Sequence, residues 1–259
     1  NDKKIQLVYI ASNHSSHEEY ASKLISYGKH VHIEKPHVVN NDQLSHLLLI
    51  NKKYKAKIFL GFNRPRSNLF LKLKKLYDKE KGMAILNWFI IGHNIDKDNW
   101  YYKEQGGRIL GNLCHWSDLT LNLIGLKNAF PCKIIPITKQ NDKSNFVLNI
   151  VFQNTIYVTC TFSSLGETIE GVRESLNLQR GNLIANIEDF KVLKYYIKQK
   201  YNVLKSKYKD QGHKENIMNS YESVLFNNDG ESEIYIKKTA DLFLGIKDAL
   251  DNNKEVIIN

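Results

Sequence analysis

The sequence has few residues of the kinds that crosslink a small protein or carry it into a membrane. It contains three cysteines among 259 residues, Cys114, Cys132 and Cys160, and no CxxC pair, so neither a disulfide framework nor a zinc site is indicated. No run approaches about 18 consecutive apolar residues, so we expect no membrane span. The first residues lack the basic segment, apolar stretch and cleavage site of a secretory signal. These features are typical of a protein of the reducing cytoplasm.

The residues that are abundant indicate a folded chain with a basic surface. Apolar residues make up 42% and aromatic residues 11% of the sequence, which excludes a disordered chain. The net charge is +10, and a basic protein can bind nucleic acid by neutralising phosphates. The excess is mostly lysine, however, and accompanies abundant asparagine and isoleucine, which indicates a compositional bias. The segment 191–209 alternates lysines with tyrosines, and we interpret it as a solvated hairpin rather than a nucleic-acid site.

The first quarter of the chain alternates predicted strands and helices. Apolar runs at 5–11, 30–34 and 57–62 indicate buried strands. A helix that Ser15 or Ser16 could cap separates the first two and ends at Gly28, and a helix capped by Asn41 and Asp42 separates the next two. This order predicts βαβ units in a parallel sheet.

The remainder of the chain predicts a different kind of sheet. A helix at 68–81 and a strand at 83–91 come first, and a helix follows Gly106 and Gly107 and ends at Gly125. Closely spaced strands are then predicted at 133–137, 146–152, 156–162, 174–179, 183–187 and 190–196. Two helices, around 213–226 and 239–250, close the sequence. Strands that follow one another so closely predict an antiparallel sheet with helices on one face, and we place the domain boundary between 1–66 and 67–259.

Glu34-Lys35-Pro36, at the end of the second predicted strand, is the most distinctive candidate for a functional motif. A lysine there projects from the carboxyl edge of a parallel sheet, where open α/β sheets bind ligands. Pro36 would hold the turn rigid and so fix the position of the ammonium group. The alternative is an ordinary surface lysine after a strand.

Four blocks of the sequence resemble a known family when they are taken in order. They are Ile10-Ala-Ser-Asn-His-Ser-Ser-His17, Gly28-Lys-His-Val-His-Ile-Glu-Lys-Pro36, Gly61-Phe-Asn-Arg64 and Gly106-Gly-Arg-Ile-Leu-Gly-Asn-Leu-Cys-His-Trp-Ser-Asp118. The series resembles the Gfo/Idh/MocA family of NAD(P)-dependent sugar and inositol oxidoreductases, especially the branch associated with polysaccharide and nucleotide-sugar enzymes. The resemblance covers essentially the whole chain. It implies a fold of class α/β plus α+β, with part of a Rossmann-type parallel sheet followed by an open antiparallel sheet domain.

The resemblance also implies a site. Cofactor contacts, to NAD or NADP, are implied for Ala11, Ser12, Asn13, His14, His17, Glu34, Lys35, Pro36 and Arg64. Lys35 and His115 match the catalytic positions, where a histidine can take a hydroxyl proton and a lysine can stabilise an alkoxide. Substrate contacts are expected for Arg108, Asn112, His115 and Trp100, and no metal is implied. The aromatic stretch around Trp100 could stack on a sugar ring or serve only in packing.

The sequence departs from the family pattern in two ways. Gly111 stands four residues before His115, where the family usually has an aspartate, so either His115 and Lys35 carry the chemistry or activity is weakened. The glycine-rich GxGxxG loop and the strand before it are absent, and the chain resembles the C-terminal part of a longer protein.

We therefore expect an NAD(P)-dependent oxidoreductase acting on a hydroxyl or keto carbon of a sugar, nucleotide sugar or inositol. The alternatives are a catalytically weakened or inactive member that binds a sugar nucleotide or a protein partner, and a basic RNA- or DNA-binding module. The apolar outward residues of the second sheet predict a homodimer or a dimer of dimers. No nucleic acid or membrane partner is expected.

Overall fold

The computed structural model describes residues 2–95, 99, 105–138, 144–153, 155–166 and 171–259. The chain groups into two compact units that are interleaved in sequence. The first unit contains Asn1–Asn63, Asp98–Asp118 and Lys214–Leu244, and the second contains Arg64–Lys97, Leu119–His213 and Gly245–Asn259. Trp100, an expected substrate contact, lies outside the described residues.

The first unit is built on a three-stranded parallel sheet. Its strands are β1 (Leu7–Ile10), β2 (His30–Ile33) and β3 (Ile58–Leu60), in the order β1-β2-β3. Helix α1 (His17–Ser26) connects β1 with β2, and α2 (Asn41–Tyr54) connects β2 with β3. The predicted parallel sheet of βαβ units is therefore confirmed.

The helix ends of the first unit confirm one predicted signal and correct two others. Gly28 follows α1 with a φ of +73°, a left-handed conformation that glycine adopts without strain. Ser16 occupies the N-cap position of α1 but does not cap it, because its hydroxyl donates to the carbonyl oxygen of Asn13 at 2.8 Å. The N-cap of α2 is Asn40, not Asn41 or Asp42, and its side chain accepts a hydrogen bond from the Gln43 amide at 2.9 Å.

The second unit is built on a nine-stranded sheet in the order β11-β10-β9-β8-β4-β7-β6-β5-β12. The pair β4 and β7 is parallel and the other pairs are antiparallel, so the predicted antiparallel architecture holds with one exception. The strands are β4 (Ala84–Ile91), β5 (Cys132–Pro136), β6 (Phe146–Phe152), β7 (Ile156–Ser163), β8 (Arg173–Arg180), β9 (Leu183–Glu188), β10 (Val192–Ile197), β11 (Lys200–Lys205) and β12 (Val256–Ile258).

The lysine-rich segment is the hairpin of β10 and β11, joined by Lys198 and Gln199. Both joining residues have positive φ, 48° and 63°, as a two-residue turn that matches the twist of its strands requires. The hairpin interpretation is therefore confirmed, although the sequence did not define the range of β11. Strand β12 was also missed, because three residues at the edge of a sheet carry no readable alternation.

The other helices are α3 (Asn68–Tyr77), α4 (Cys114–Ile124), α5 (His213–Leu225) and α6 (Glu233–Asn252). The predicted end of α3 was wrong by four residues, and α6 begins six residues before the predicted start. Ser232 explains the early start of α6, because its hydroxyl accepts a hydrogen bond from the Tyr235 amide at 3.2 Å. Among the described residues, no helix combines the length and the apolar character that crossing a membrane requires.

The central strands of the nine-stranded sheet bury one face and expose the other. In β4, the buried residues alternate with Ile85, Asn87 and Phe89, which are exposed. Tyr157 of β7 and Ile184 of β9 are also exposed. Part of the apolar set of this sheet therefore points outward, as the sequence indicated.

Candidate functional site

Two predicted motifs lie side by side because their strands end at the same edge of the parallel sheet. Ile10 pairs with Ile33, and Ile33 pairs with Leu60, so the segments after β1, β2 and β3 leave the sheet together. These segments begin with Ala11, Glu34 and Gly61 respectively. Ligands of open α/β sheets bind at this carboxyl edge. We call it the carboxyl edge below.

His17 contacts both the loop after β1 and the turn after β2. Its Nδ1 lies 2.8 Å from the carbonyl oxygen of Pro36, and its Nε2 lies 2.9 Å from that of Ser12. The ring is 1% exposed. A carbonyl oxygen only accepts hydrogen bonds, so a ring nitrogen bonds to it by donating a proton. His17 therefore anchors the loop after β1 to the turn after β2, and its ring nitrogens face protein carbonyls.

Glu34 is held against the segment that follows β3. A Cβ added at Gly61 would lie 2.8 Å from the Cα of Glu34 and 2.9 Å from its Cδ, so only glycine permits this approach. The Glu34 carboxylate also accepts a hydrogen bond from the Lys35 amide at 3.2 Å. The carboxylate is thus positioned at the carboxyl edge, where it could accept hydrogen bonds from ribose hydroxyls.

Lys35 reaches a second segment of the first unit. Its Nζ donates to the carbonyl oxygen of Gly111 at 2.8 Å. Gly111 lies in a π-helical turn, Ile109–Leu113, which runs directly into α4. Such wide turns occur frequently at functional sites. The two positions that the sequence singled out, the lysine after β2 and the glycine in place of an aspartate, are therefore hydrogen-bonded to each other.

His115 occupies the first turn of α4, four residues after Gly111. It is buried, and its ring meets those of Phe62 and Trp116 edge-on, with centroid distances of 6.2 Å and 6.1 Å. These two aromatic neighbours constrain the orientation of the ring. The Lys35 ammonium contacts the π-helical turn that directly precedes the helix of His115.

Arg108 and Asn112 lie one turn apart in the same segment. The Arg108 side chain is buried, and its Nη1 donates to the Oδ1 of Asn112 at 3.2 Å. The structure brings these two expected substrate contacts together. The amide of Asn112 takes part in fixing the guanidinium group.

The turn after β1 carries a contact that the sequence did not indicate. The Nδ1 of His14 lies 2.9 Å from the carbonyl oxygen of Gln105. The Gln105 side chain accepts from the Ser15 amide at 3.1 Å and donates to the Ser15 hydroxyl at 2.9 Å. Gln105 is buried and directly precedes Gly106, but no sequence pattern distinguishes it from a solvent-exposed glutamine.

The environment of His14 favours its neutral form. The pKa of His14 is lowered from 6.5 to about 4, mainly because the ring is buried; the hydrogen bond with Gln105 opposes this shift, and the positive charges of Lys35 and His17 add to it. His14 is therefore a neutral imidazole near the Lys35 ammonium at physiological pH.

The remaining expected site residues fall into two groups. Ala11, Ser12 and Asn13 are exposed at the carboxyl edge, where a ligand could reach them. Arg64 belongs to the second unit, and its Nε donates to the buried carboxylate of Glu174 at 2.7 Å. The described residues contain no cluster of three or more histidine, cysteine or acidic side chains that could hold a metal ion.

A parallel sheet with a lysine and polar loops at its carboxyl edge has the arrangement that ligand-binding α/β folds use. Residues 1–62 match the Gfo/Idh/MocA model, described as an oxidoreductase family with an NAD-binding Rossmann fold. The first 62 of the 259 residues are therefore similar to this family.

Relatives with curated descriptions match parts of the chain. An oxidoreductase from Formosa agariphila is 39% identical over 74 residues, which are 29% of this chain and 23% of that protein. The scyllo-inositol 2-dehydrogenase (NADP(+)) IolW from Bacillus subtilis is 27% identical over 141 residues, 52% of this chain and 39% of that protein. The matched segments thus span less than half the length of either relative.

A solved structure matches the fold over the whole chain. GenD2 from gentamicin A biosynthesis, in complex with NAD, superposes with a TM-score of 0.81 at 16% identity. The match covers 100% of this chain and 80% of GenD2. A likeness at this identity concerns the fold.

Proposed function

We propose that the protein is an NAD(P)-dependent oxidoreductase that transfers a hydride between the nicotinamide and a hydroxyl or keto carbon of a sugar, nucleotide sugar or inositol. The observation that carries the proposal is the hydrogen bond from Lys35 to Gly111. It connects a cation at the carboxyl edge to Gly111, which stands four residues before His115 in the sequence. The names of two similar proteins, an inositol dehydrogenase that uses NADP(+) and a structure with bound NAD, support this reading.

The donors and acceptors at the carboxyl edge fit a nicotinamide cofactor. Ribose hydroxyls need acceptors, which Glu34 and His14 offer, and a carboxamide needs both donors and acceptors, which Ser12 and Asn13 offer. Gly61 holds the Glu34 carboxylate in place, as the close approach of the two residues shows. The bound nicotinamide would supply the hydride acceptor in the oxidative direction.

The chain's own residues would then handle the proton and the developing charge. His115 would take the proton of the substrate hydroxyl as a general base. The Lys35 ammonium has three N–H donors, and one is directed to Gly111, so the others can stabilise a developing alkoxide. Arg108 and Asn112, fixed by their mutual hydrogen bond, would orient a polyhydroxyl or anionic substrate.

Gly111 favours a second candidate function. Gly111 has no side chain, so the position where the family usually has an aspartate offers no carboxylate that could accept a proton. A protein of this design could bind a sugar nucleotide or a protein partner with weak or no turnover. A binder of sugar nucleotides would differ from the enzyme in kcat, and a binder of a protein partner would differ from it also in its ligand.

Titration of the full-length protein with NADH and NADPH tests the first function, because absence of binding to either would contradict it. Turnover on nucleotide sugars, sugars and inositols then separates the candidates. Lys35→Ala and His115→Ala should each lower kcat by at least about 100-fold, the usual contribution of such groups. Lys52→Ala, an exposed lysine on α2, should leave kcat unchanged. Unchanged turnover in both site variants would refute the assigned roles.

The proposal extends to the cellular location and the assembly of the enzyme. We expect a cytoplasmic enzyme that acts on a small sugar-type molecule and assembles as a homodimer or a dimer of dimers through the exposed face of the nine-stranded sheet. That all three cysteines are free supports a reducing compartment. Exposed apolar residues on the sheet support the assembly.

A further inference from the structure

The ammonium group of Lys35 has a neutral partner. Its Nζ donates to the carbonyl oxygen of Gly111 at 2.8 Å, and the residue is half-buried. Lys35 forms no ion pair with any residue that the structure describes. The carboxylate of Glu34, its neighbour in the chain, instead accepts from the main-chain amide of Lys35 at 3.2 Å. A positive charge is therefore held at the carboxyl edge with a carbonyl oxygen, and not a carboxylate, as its partner.

The segment that Lys35 contacts adds no negative charge. Between positions 105 and 117 the sequence contains neither aspartate nor glutamate. Gly111, at the point of contact, has no side chain. The first acid after it is Asp118, whose carboxylate accepts a hydrogen bond from the hydroxyl of Tyr235. A ligand that reaches Lys35 at this segment therefore meets a cation beside neutral groups.

A half-buried ammonium group favours an anionic ligand. Hydrogen bonds between two charged groups are roughly twice as strong as those between neutral ones. An ammonium has three N–H donors, so the bond to Gly111 leaves two for a ligand. Two oxygens held by one ammonium lie about 4 to 5 Å apart, a distance that a hydroxyl and a carboxylate on neighbouring carbons can span. One donor of Lys35 can thus meet the hydroxyl to be oxidised and the other a carboxylate of the same molecule.

We infer that the substrate is a sugar acid, whose carboxylate pairs with Lys35. The inference rests on the proposed function, because that function places the reacting hydroxyl at Lys35. The carboxylate is attached to a carbon next to the one that carries this hydroxyl, as in a uronic acid. Neutral sugars and inositols can make the same hydroxyl contact without the ion pair, so they are weaker ligands.

Two matched pairs of ligands test the charge preference directly. D-Glucuronate differs from D-glucose, and UDP-glucuronate from UDP-glucose, by a carboxylate in place of a hydroxymethyl group. In calorimetric titrations of the full-length protein with saturating NADH or NADPH, the acid of each pair should bind about 10-fold or more tightly, as a hydrogen bond to a charged group contributes. The preference should shrink at high ionic strength. Equal affinity within both pairs, or no binding of either acid, would overturn the inference.

Variants at the contact separate charge from bulk. Lys35→Met keeps the length of the side chain without its charge, so it should bind the two members of each pair equally. Gly111 lies inside a helical turn, whose backbone conformation other residues can adopt. Gly111→Asp should therefore abolish the preference by pairing with Lys35, while Gly111→Asn, of equal size and uncharged, should keep it. Equal effects of the two replacements at Gly111 would contradict a role of charge.

Two further measurements complete the test. If neither variant of Gly111 folds, as judged by far-ultraviolet circular dichroism, Lys35→Met decides alone, and an unchanged preference in it would overturn the inference. Lys52→Ala, an exposed lysine on α2, should keep the wild-type preference.

The controls also distinguish other sources of an anion and a failure of the proposed function. Equal binding of UDP-glucuronate and UDP-glucose, both far tighter than D-glucuronate, would assign the contact of Lys35 to a phosphate and overturn the sugar acid. Failure of the wild-type protein to bind NADH and NADPH would instead refute the proposed function. The same ligand pairs, titrated without cofactor, would then still decide whether the site prefers the acid.

Discussion

At the scale of single residues, three side chains at the carboxyl edge contact main-chain carbonyl oxygens. His17 bonds to those of Ser12 and Pro36, Lys35 to that of Gly111, and His14 to that of Gln105. A carbonyl contact fixes position without neutralising charge, so Lys35 retains its full charge for a ligand. The site therefore depends on the course of the backbone at the carboxyl edge.

The variant Gly61→Ala would test whether the site depends on the course of the backbone. In Gly61→Ala the new Cβ would lie 2.8 Å from the Cα of Glu34, a main-chain atom that cannot move without shifting the turn after β2. We expect a loss of about 1–3 kcal/mol in the free energy of unfolding, as for other overpacked sites, together with weaker NAD(P)H binding. Denaturant unfolding and cofactor titration measure the two effects. Unchanged stability and unchanged binding would show that Glu34 does not need this approach.

His37 makes a separate prediction about acid stability. It is fully buried, packs edge-on against Phe62 and Phe243, and burial lowers its pKa from 6.5 to about 4. Between these two values the unfolded chain binds a proton that the native protein does not. The free energy of unfolding should therefore fall as the pH falls from 6.5 towards 4, by on the order of 3 kcal/mol for this group.

Thermal or denaturant unfolding across that pH range measures the effect. His37→Phe removes this titrating group and should reduce the slope, while the contribution of His14, whose pKa is lowered over the same range, remains. The variant can also lower stability at neutral pH because it loses the hydrogen bond to Ile236. His93→Gln should keep the wild-type dependence. An unaltered slope in His37→Phe would show that His37 does not contribute to it.

Sequence patterns indicated some of these residues and could not indicate others. Lys35 was recognisable because Glu34-Lys35-Pro36 follows a short apolar strand. A residue that directly follows a parallel strand lies at the carboxyl edge of the sheet, where ligands bind. Gln105 was not, because its role depends on Ser15, which is 90 residues away in the chain. The pairing of Arg64 with Glu174, across 110 residues, was equally invisible. Contacts between distant segments depend on the tertiary fold and leave no local pattern.

At the scale of elements, the sequence predicted the strands and helices whose apolar residues recur with a clear period. The strand 146–152 was predicted with the bounds that the structure gives to β6, because its buried residues alternate without interruption. The π-helical turn Ile109–Leu113 was missed, since its residues also have the spacing of an ordinary helix. The start of α6 was missed because the capping role of Ser232 was not considered.

The cap of α2 gives a prediction at this scale. Asn40 accepts from the Gln43 amide, and the Gln43 side chain in turn bonds to the Val39 amide at 2.9 Å and to the Ser15 carbonyl oxygen at 2.8 Å. Asn40→Ala should lower the free energy of unfolding by about 1 kcal/mol. Asn40→Asp keeps an acceptor at the cap and should restore most of the stability. Equal losses in both variants would mean that the cap does not stabilise α2.

At the scale of the whole molecule, the exposed face of the nine-stranded sheet predicts self-association. Phe89 on the central strand β4 is 48% exposed, and Tyr157 on the neighbouring β7 is 41% exposed. Exposed large apolar side chains on a sheet face are typical of an interface, and a twofold axis closes the assembly with one kind of surface. The full-length protein should therefore sediment as a dimer or a dimer of dimers at micromolar concentration.

Phe89→Lys and Tyr157→Lys should shift it to monomer while the far-ultraviolet circular dichroism stays unchanged, because both side chains point away from the buried face. Phe226→Lys changes an aromatic residue just beyond α5 that is more exposed, at 68%, and should leave the assembly intact. A wild-type monomer at these concentrations, or dissociation in all three variants alike, would contradict this interface.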